Sequence, residues 1–80
     1  MHQDEFIVLW YMEKSYGTDP AKSTNLSELT VKKTIDIMKK LERDGYAKLE
    51  IREGAIYAAI ATAKGRSELL KPQYDFWIPE

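Results

Sequence analysis

The fold is decided by residues 30–61, TVKKTIDIMKKLERDGYAKLEIREGAIYAAIA, where the spacing of apolar residues changes from helical to alternating. Up to residue 44 the apolar side chains recur every three or four positions, which predicts one helix over 30–44 with a buried stripe. The stripe consists of Val31, Ile35, Met38 and Leu41, flanked by Thr34 and Ile37. Gly45 then stands where a helix-ending glycine is favoured, so the helix is expected to stop there.

After Gly45 the apolar period becomes two residues. Ala47, Leu49 and Ile51 alternate with polar or aromatic side chains, which is typical of a half-buried strand. Residues 52–55, REGA, predict a turn, and residues 56–60, IYAAI, predict a second strand. Together they indicate a β-hairpin over 46–61.

Two helical segments are expected before residue 30. Residues 4–15 are apolar nearly all round, which predicts a helix covered on more than one side. Asn25 and Glu28 have the spacing of a capping box, which favours a short helix around 26–29. In the alternative interpretation, Asp19 caps a helix that begins at Pro20 and ends near Asn25.

A last helix is expected after the hairpin. Thr62 can cap residues 63–71, with Leu69 and Leu70 turned inward and Pro72 ending the helix. Gly65 would permit close packing of this helix, and Lys64 and Arg66 are interpreted as structural. The chain thus predicts one α+β domain over 1–80, with a core over about 4–71 and an aromatic tail over 72–80.

The composition narrows the classes of function. The 80 residues include no cysteine, and this excludes disulfides and thiolate metal sites. His2 is the single histidine. No nucleophile with a base, no metal-ligand cluster and no glycine-rich phosphate loop is present, so we expect neither an enzyme nor a bound metal or cofactor. No apolar run approaches the roughly 18 residues of a membrane span, and no signal peptide is recognisable, which favours a cytoplasmic protein.

Charge is distributed unevenly along a chain whose net charge is −1. Residues 1–28 carry five acidic and two basic side chains, whereas residues 29–43 carry five basic and two acidic ones. A local basic surface on a nearly neutral domain can hold phosphates. The predicted helix over 30–44 is therefore the candidate binding element.

Three short motifs resemble the MarR and PadR groups of transcription regulators. Residues 38–46, MKKLERDGY, are similar to the end of their recognition helix, and residues 62–70, TAKGRSELL, to the segment after their wing. Residues 25–29, NLSEL, resemble the opening of their second helix. The resemblance covers about residues 5–71. It departs between Leu29 and Thr30, where those families carry several further residues.

The resemblance implies a winged helix-turn-helix: a three-helix core, a two-stranded hairpin wing over 46–61 and a C-terminal helix. It implies a recognition helix over 30–44 that reads double-stranded DNA in the major groove, with the arginine at the wing tip entering the minor groove. The residues expected to contact DNA are Thr30, Lys32, Lys33, Asp36, Lys39, Lys40, Arg43 and Arg52.

Other interpretations of the same residues stay open. The basic face could be an ordinary solvated helix surface with pairs between Asp36 and neighbouring lysines, and Arg52 could serve solubility alone. A winged helix can also serve protein–protein contact. Single-stranded nucleic acid binding would need Tyr46, Tyr57 or Trp77 on one basic surface. The aromatic tail either packs onto its own domain or forms a homodimer or partner contact through Tyr74, Phe76, Trp77 and Ile78.

Overall fold

The computed structural model describes residues 1–14 and 31–78. The fold is α+β, as the sequence predicts, and its layout is compatible with a winged helix. Its elements in chain order are α1 (Gln3–Lys14), α2 (Val31–Arg43), β1 (Ala47–Arg52), β2 (Ala55–Ala61), α3 (Ala63–Leu69) and a 3-10 helix (Pro72–Trp77). The short helix predicted around 26–29, its alternative at Pro20, and Thr30 lie outside the described residues.

The core lies between α1, α2 and the inner face of the hairpin. Helix α1 contributes Val8, Leu9 and Met12, all fully buried, and it contacts α2, β2, α3 and the 3-10 helix. This confirms that a helix apolar nearly all round is covered on more than one side. The remaining core residues are Ile37, Met38, Leu41, Ala47, Leu49, Ala59 and Ala61.

The buried face of α2 is rotated slightly about the helix axis relative to the predicted stripe. Thr34 and Ile37, expected on the flanks, are buried together with Met38, while Ile35 is only half-buried. The Val31 side chain lies outside the described part. Ile37 lies beside the start of α1, so the packing of α1 against α2 decides which flank is covered.

The junction between α2 and β1 is built as the glycine predicts. Gly45 has φ +86°, a left-handed conformation that favours glycine. Its N–H donates to the carbonyl of Glu42 at 3.0 Å, and the N–H of Tyr46 donates to the carbonyl of Leu41 at 2.9 Å. This pair of bonds is a Schellman motif, which ends the helix and leads the chain directly into β1.

The two strands pair antiparallel with a two-residue turn at Glu53 and Gly54. The pairing is regular from Ala47 with Ala61 to Glu50 with Ala58, and then shifts by one residue. Tyr57 is the extra residue of this β-bulge, which increases the local twist.

The predicted inward alternation of β1 holds for Ala47 and Leu49 but is wrong for Ile51, whose side chain is 53% exposed. Ile51 lies beyond the bulge, near the turn, where the hairpin extends past the helices that cover its base.

Helix α3 begins as predicted, since the Thr62 hydroxyl accepts a hydrogen bond from the N–H of Gly65 at 3.1 Å. It ends at Leu69, two residues earlier than expected, and Leu70 is 81% exposed rather than turned inward. The chain leaves the helix because Pro72 starts the 3-10 helix, which returns towards α1. Tyr74 is buried there, 5.2 Å from Phe6 between ring centroids.

Candidate nucleic-acid interface

The charged side of α2 faces away from the core. All of its charged residues are exposed: Lys32, Lys33, Asp36, Lys39, Lys40, Glu42 and Arg43. A helix of 3.6 residues per turn divides them into two rows and one separate residue, because Thr34, Met38 and Leu41 occupy the buried side. One row faces α1, one faces outward, and Glu42 lies on the side of the hairpin.

The row that faces α1 is neutralised by two acidic residues of that helix. Lys40 Nζ lies 2.9 Å from Glu5 Oε2, and Lys33 Nζ lies 3.4 Å from Asp4 Oδ2. The sequence indicates Asp4 and Glu5 only as favourable charges at a helix start, because nothing local shows which lysines they meet. The available signal is the opposite charge of the two segments that form α1 and α2.

Glu5 is the anchor of this contact. Its side chain is 10% exposed, and Oε1 accepts a hydrogen bond from the backbone N–H of His2 at 3.1 Å. Burial raises the pKa of Glu5, but the hydrogen bonds from Lys40 and His2 and the charge of Lys40 outweigh burial and lower it. Glu5 is therefore a carboxylate at neutral pH, and it cancels one lysine charge.

The outward row consists of Lys32, Asp36, Lys39 and Arg43, spaced by four, three and four residues. Within residues 1–14 and 31–78, no ion pair joins Asp36 to Lys32 or Lys39. Arg43 makes one long pair, 3.8 Å from Nε to Oδ1 of the adjacent Asp44. Three basic groups and one acidic group are thus presented to solvent along a single line.

The hairpin holds its arginine in one orientation. Arg52 Nε and Nη2 donate to Oε1 of Glu50 at 3.0 and 2.7 Å, and its guanidinium lies 3.9 Å from the centroid of the Tyr57 ring. Glu53 is the acidic residue next to Arg52 in the sequence, but it is not the one that pairs with Arg52. The structure shows Glu50 instead, since side chains two apart on a strand share a face.

Another glutamate, whose role the sequence does not predict, fixes the hairpin to α2. Glu42 Oε2 accepts a hydrogen bond from the backbone N–H of Leu49 at 2.9 Å, which joins the last turn of the helix to the middle of β1. No local pattern marks this contact, because it crosses the turn at Gly45. It makes α2 and the hairpin one unit.

The basic residues after the hairpin are structural, as interpreted from the sequence. Lys64 Nζ donates to the carbonyl of Asp44 at 2.7 Å and lies 4.5 Å from the centroid of the Tyr46 ring. Arg66 Nη1 donates to the carbonyl of Ala61 at 3.2 Å. Both close the junction between α2, the hairpin and α3.

The aromatic side chains do not form one surface. Tyr46 lies at the junction under Lys64, Tyr57 lies beside Arg52, and Trp77 stacks on Tyr74 with centroids 5.1 Å apart. The common basic platform that single-stranded nucleic acid would need is therefore not assembled from these three.

The tail divides into an inner and an outer half. Tyr74 is buried, and its hydroxyl donates to Glu68 Oε1 at 2.7 Å, so this expected partner contact is taken up inside the domain. Trp77 is half-buried against Phe6 at 5.9 Å between centroids. Phe76 is 96% exposed, and Ile78 is exposed as well. Only Phe76 and Ile78 of the predicted contact residues face solvent.

No group of three His, Asp or Glu side chains in the described ranges could hold a metal ion. None of the helices described here is both long enough and apolar enough to cross a membrane. Comparisons with protein-family models, with curated proteins and with solved structures found no match to this chain.

Proposed function

We propose that this chain binds double-stranded DNA as a winged-helix transcription regulator of the cytoplasm, and that it is not an enzyme. In this proposal α2 is the recognition helix and the hairpin is the wing. The observation that carries it is the outward row of α2, where Lys32, Lys39 and Arg43 face solvent and, within residues 1–14 and 31–78, form no ion pair with an acid of another helix or strand.

The residue types of the row suit a DNA groove. An α-helix fits the major groove, lysine and arginine neutralise phosphates, and an aspartate can accept a hydrogen bond from the amino group of cytosine. Glu42 supports the same proposal, because it keeps the hairpin at a fixed position relative to the helix. Arg52 would contact DNA from the wing in competition with Glu50, which already accepts two hydrogen bonds from its guanidinium.

The test is the salt dependence of binding to a labelled random-sequence duplex, followed by fluorescence anisotropy. Each phosphate neutralised contributes about −0.9 to the slope of log affinity against log salt. Lys39→Ala is expected to weaken binding and to reduce the magnitude of the slope by about 0.9. Lys14→Ala removes the same charge from the end of α1 and is expected to leave the slope unchanged.

The proposal is wrong if the parent protein binds no duplex at low salt. It is also wrong if Lys39→Ala and Lys14→Ala have equal effects, because binding would then follow net charge and not the row on α2.

A second candidate function, protein–protein contact, is favoured by the exposed apolar side chains near the C-terminus. Leu70, Phe76 and Ile78 are all exposed. Its simplest form is a homodimer. Sedimentation velocity should then show association that Phe76→Asp abolishes, while Ile51→Asp on the hairpin leaves it unchanged. A parent protein that stays monomeric at high concentration would contradict the homodimer.

A further inference from the structure

The contact between the start of α1 and the flank of α2 brings two carboxylates onto two of the five basic residues of α2. The pair of Lys40 with Glu5 is the shorter and more buried, and the pair of Lys33 with Asp4 lies at the surface. Neither pair is local: each joins residues about 30 to 35 positions apart in the chain. The packing of α1 against α2 holds both in place.

A carboxylate and a phosphate are competing anions for a lysine. Lys40 already donates to Oε2 of Glu5, and the other oxygen of this carboxylate, Oε1, accepts a hydrogen bond from the N–H of His2. A phosphate that approached this flank would have to displace Glu5 while also being repelled by Asp4 and Glu5. No comparable acid from another element faces Lys32 or Lys39 among the described residues.

We propose that Asp4 and Glu5 are built-in competitors of phosphate, which close the α1-facing flank of α2 to nucleic acid and direct binding to the outward row. This inference rests on the proposed function. Asp4 and Glu5 are positioning residues in it, since they act through Lys33 and Lys40. The number of phosphates contacted is then set by α1 as well as by the charges of α2.

The variant that tests this is Asp4→Asn with Glu5→Gln. Both amides keep the shape of the side chain, and the glutamine carbonyl can still accept from His2, but the negative charges are gone. Lys40 would lose its carboxylate partner, so the slope of log affinity against log salt should steepen by about 0.9, the contribution of one additional phosphate. Affinity at low salt should rise.

Two control variants separate local masking from net charge. Glu13→Gln with Asp75→Asn raises the net charge by the same two units away from α2, and it should leave the slope at the parent value. Adding Lys33→Ala and Lys40→Ala to the amide variant should return its slope to the parent value. Circular dichroism and urea unfolding establish that each variant is folded, and Asp4→Asn alone tests the surface pair if the double variant does not fold.

The outcomes distinguish this inference from the proposed function. If the parent binds DNA and the amide variant shows the slope of the parent or of the control, masking is wrong while DNA binding stands. If the parent binds DNA and the amide variant binds it with the steeper slope, masking is supported. If the amide variant binds a duplex that the parent does not bind at all, the proposed function of the parent and the direction of binding to the outward row are both wrong. If no variant binds any duplex, both proposals fail together.

Discussion

Gly65 lies where α3 passes against the chain between α2 and β1, and its α-carbon has no room for a side chain. A Cβ placed there would overlap the carbonyl oxygen of Tyr46 and would lie 3.3 Å from Cδ1 of Leu9. That carbonyl is fixed, because it accepts the N–H of Thr62 at 3.0 Å. The glycine of the TAKGRSELL motif is therefore needed for packing rather than for backbone conformation.

Gly65→Ala should destabilise the protein, although alanine is ordinarily preferred over glycine inside a helix by about 1 kcal/mol. The overlap with the Tyr46 backbone forces α3 away from the junction, and overpacking of this kind costs about 1–3 kcal/mol. Urea unfolding followed by circular dichroism measures the difference. Ser67→Ala, on the exposed side of the same helix, should change stability by less than about 0.5 kcal/mol. A more stable Gly65→Ala variant would show that the junction is looser than described.

At the scale of elements, the hairpin depends on its turn. Glu53 has φ +52° and Gly54 has φ +79°, and two central residues with positive φ define a type I′ turn. This turn matches the twist of the strands, but it places a glutamate in the left-handed region, which costs of order 1 kcal/mol for a residue with a Cβ. Asparagine tolerates that region better.

Glu53→Asn should therefore stabilise the hairpin, by up to about 1 kcal/mol. Thermal unfolding of parent and variant gives the change, and Gly54→Ala supplies the opposite case, because it introduces a Cβ at the other left-handed position. If Glu53→Asn lowered the melting temperature, the left-handed conformation at Glu53 would not be the one that the hairpin adopts.

The elements also show which features of the fold can be predicted from residues that are close together in the sequence. The helix that the structure gives as Val31–Arg43, its end at Gly45, the hairpin and the Thr62 cap were predictable, because each depends on residues within a few positions of one another. Ile51 and Leu70 were predicted to face inward, but both are exposed. The periodicity of apolar residues does not show where a strand extends past the helices that cover it, or where a helix ends early.

The candidate site was predictable only as a set of charges on α2. Which lysines are occupied depends on the packing of α1, and this is why Lys33 and Lys40 could not be told apart from Lys32 and Lys39. The same holds for Glu42, whose partner Leu49 lies on the next element. Contacts between elements decide the electrostatics of the surface, and these contacts cannot be predicted from the periodicity of apolar residues within one element.

At the scale of the whole molecule, two buried carboxylates connect elements. One connects helices that are distant in the chain, and the other connects two elements between which the chain changes direction. Glu5 ties α1 to α2, and Glu68 ties α3 to the 3-10 helix through Tyr74 Oη at 2.7 Å and Lys71 Nζ at 2.8 Å. The hydrogen bonds from Lys71 and Tyr74 lower the pKa of Glu68 below its ordinary value of 4.5. The pKa of Glu5 is lowered as well.

A carboxylate whose pKa is lowered by folding stabilises the protein above its unfolded-state pKa, and that contribution is lost as the pH falls through the folded-state value. The free energy of unfolding should therefore decrease as the pH is lowered below about 4.5, the ordinary pKa of glutamate. Glu68→Gln should be less stable than the parent at pH 7 by about 1–2 kcal/mol and should lose less on acidification. Tyr74→Phe keeps the ring against Phe6 and removes one donor, so its pH dependence should be intermediate. Urea titrations at a series of pH values test this order. Equal acid losses in the parent and in Glu68→Gln would mean that Glu68 does not couple the tail to the fold.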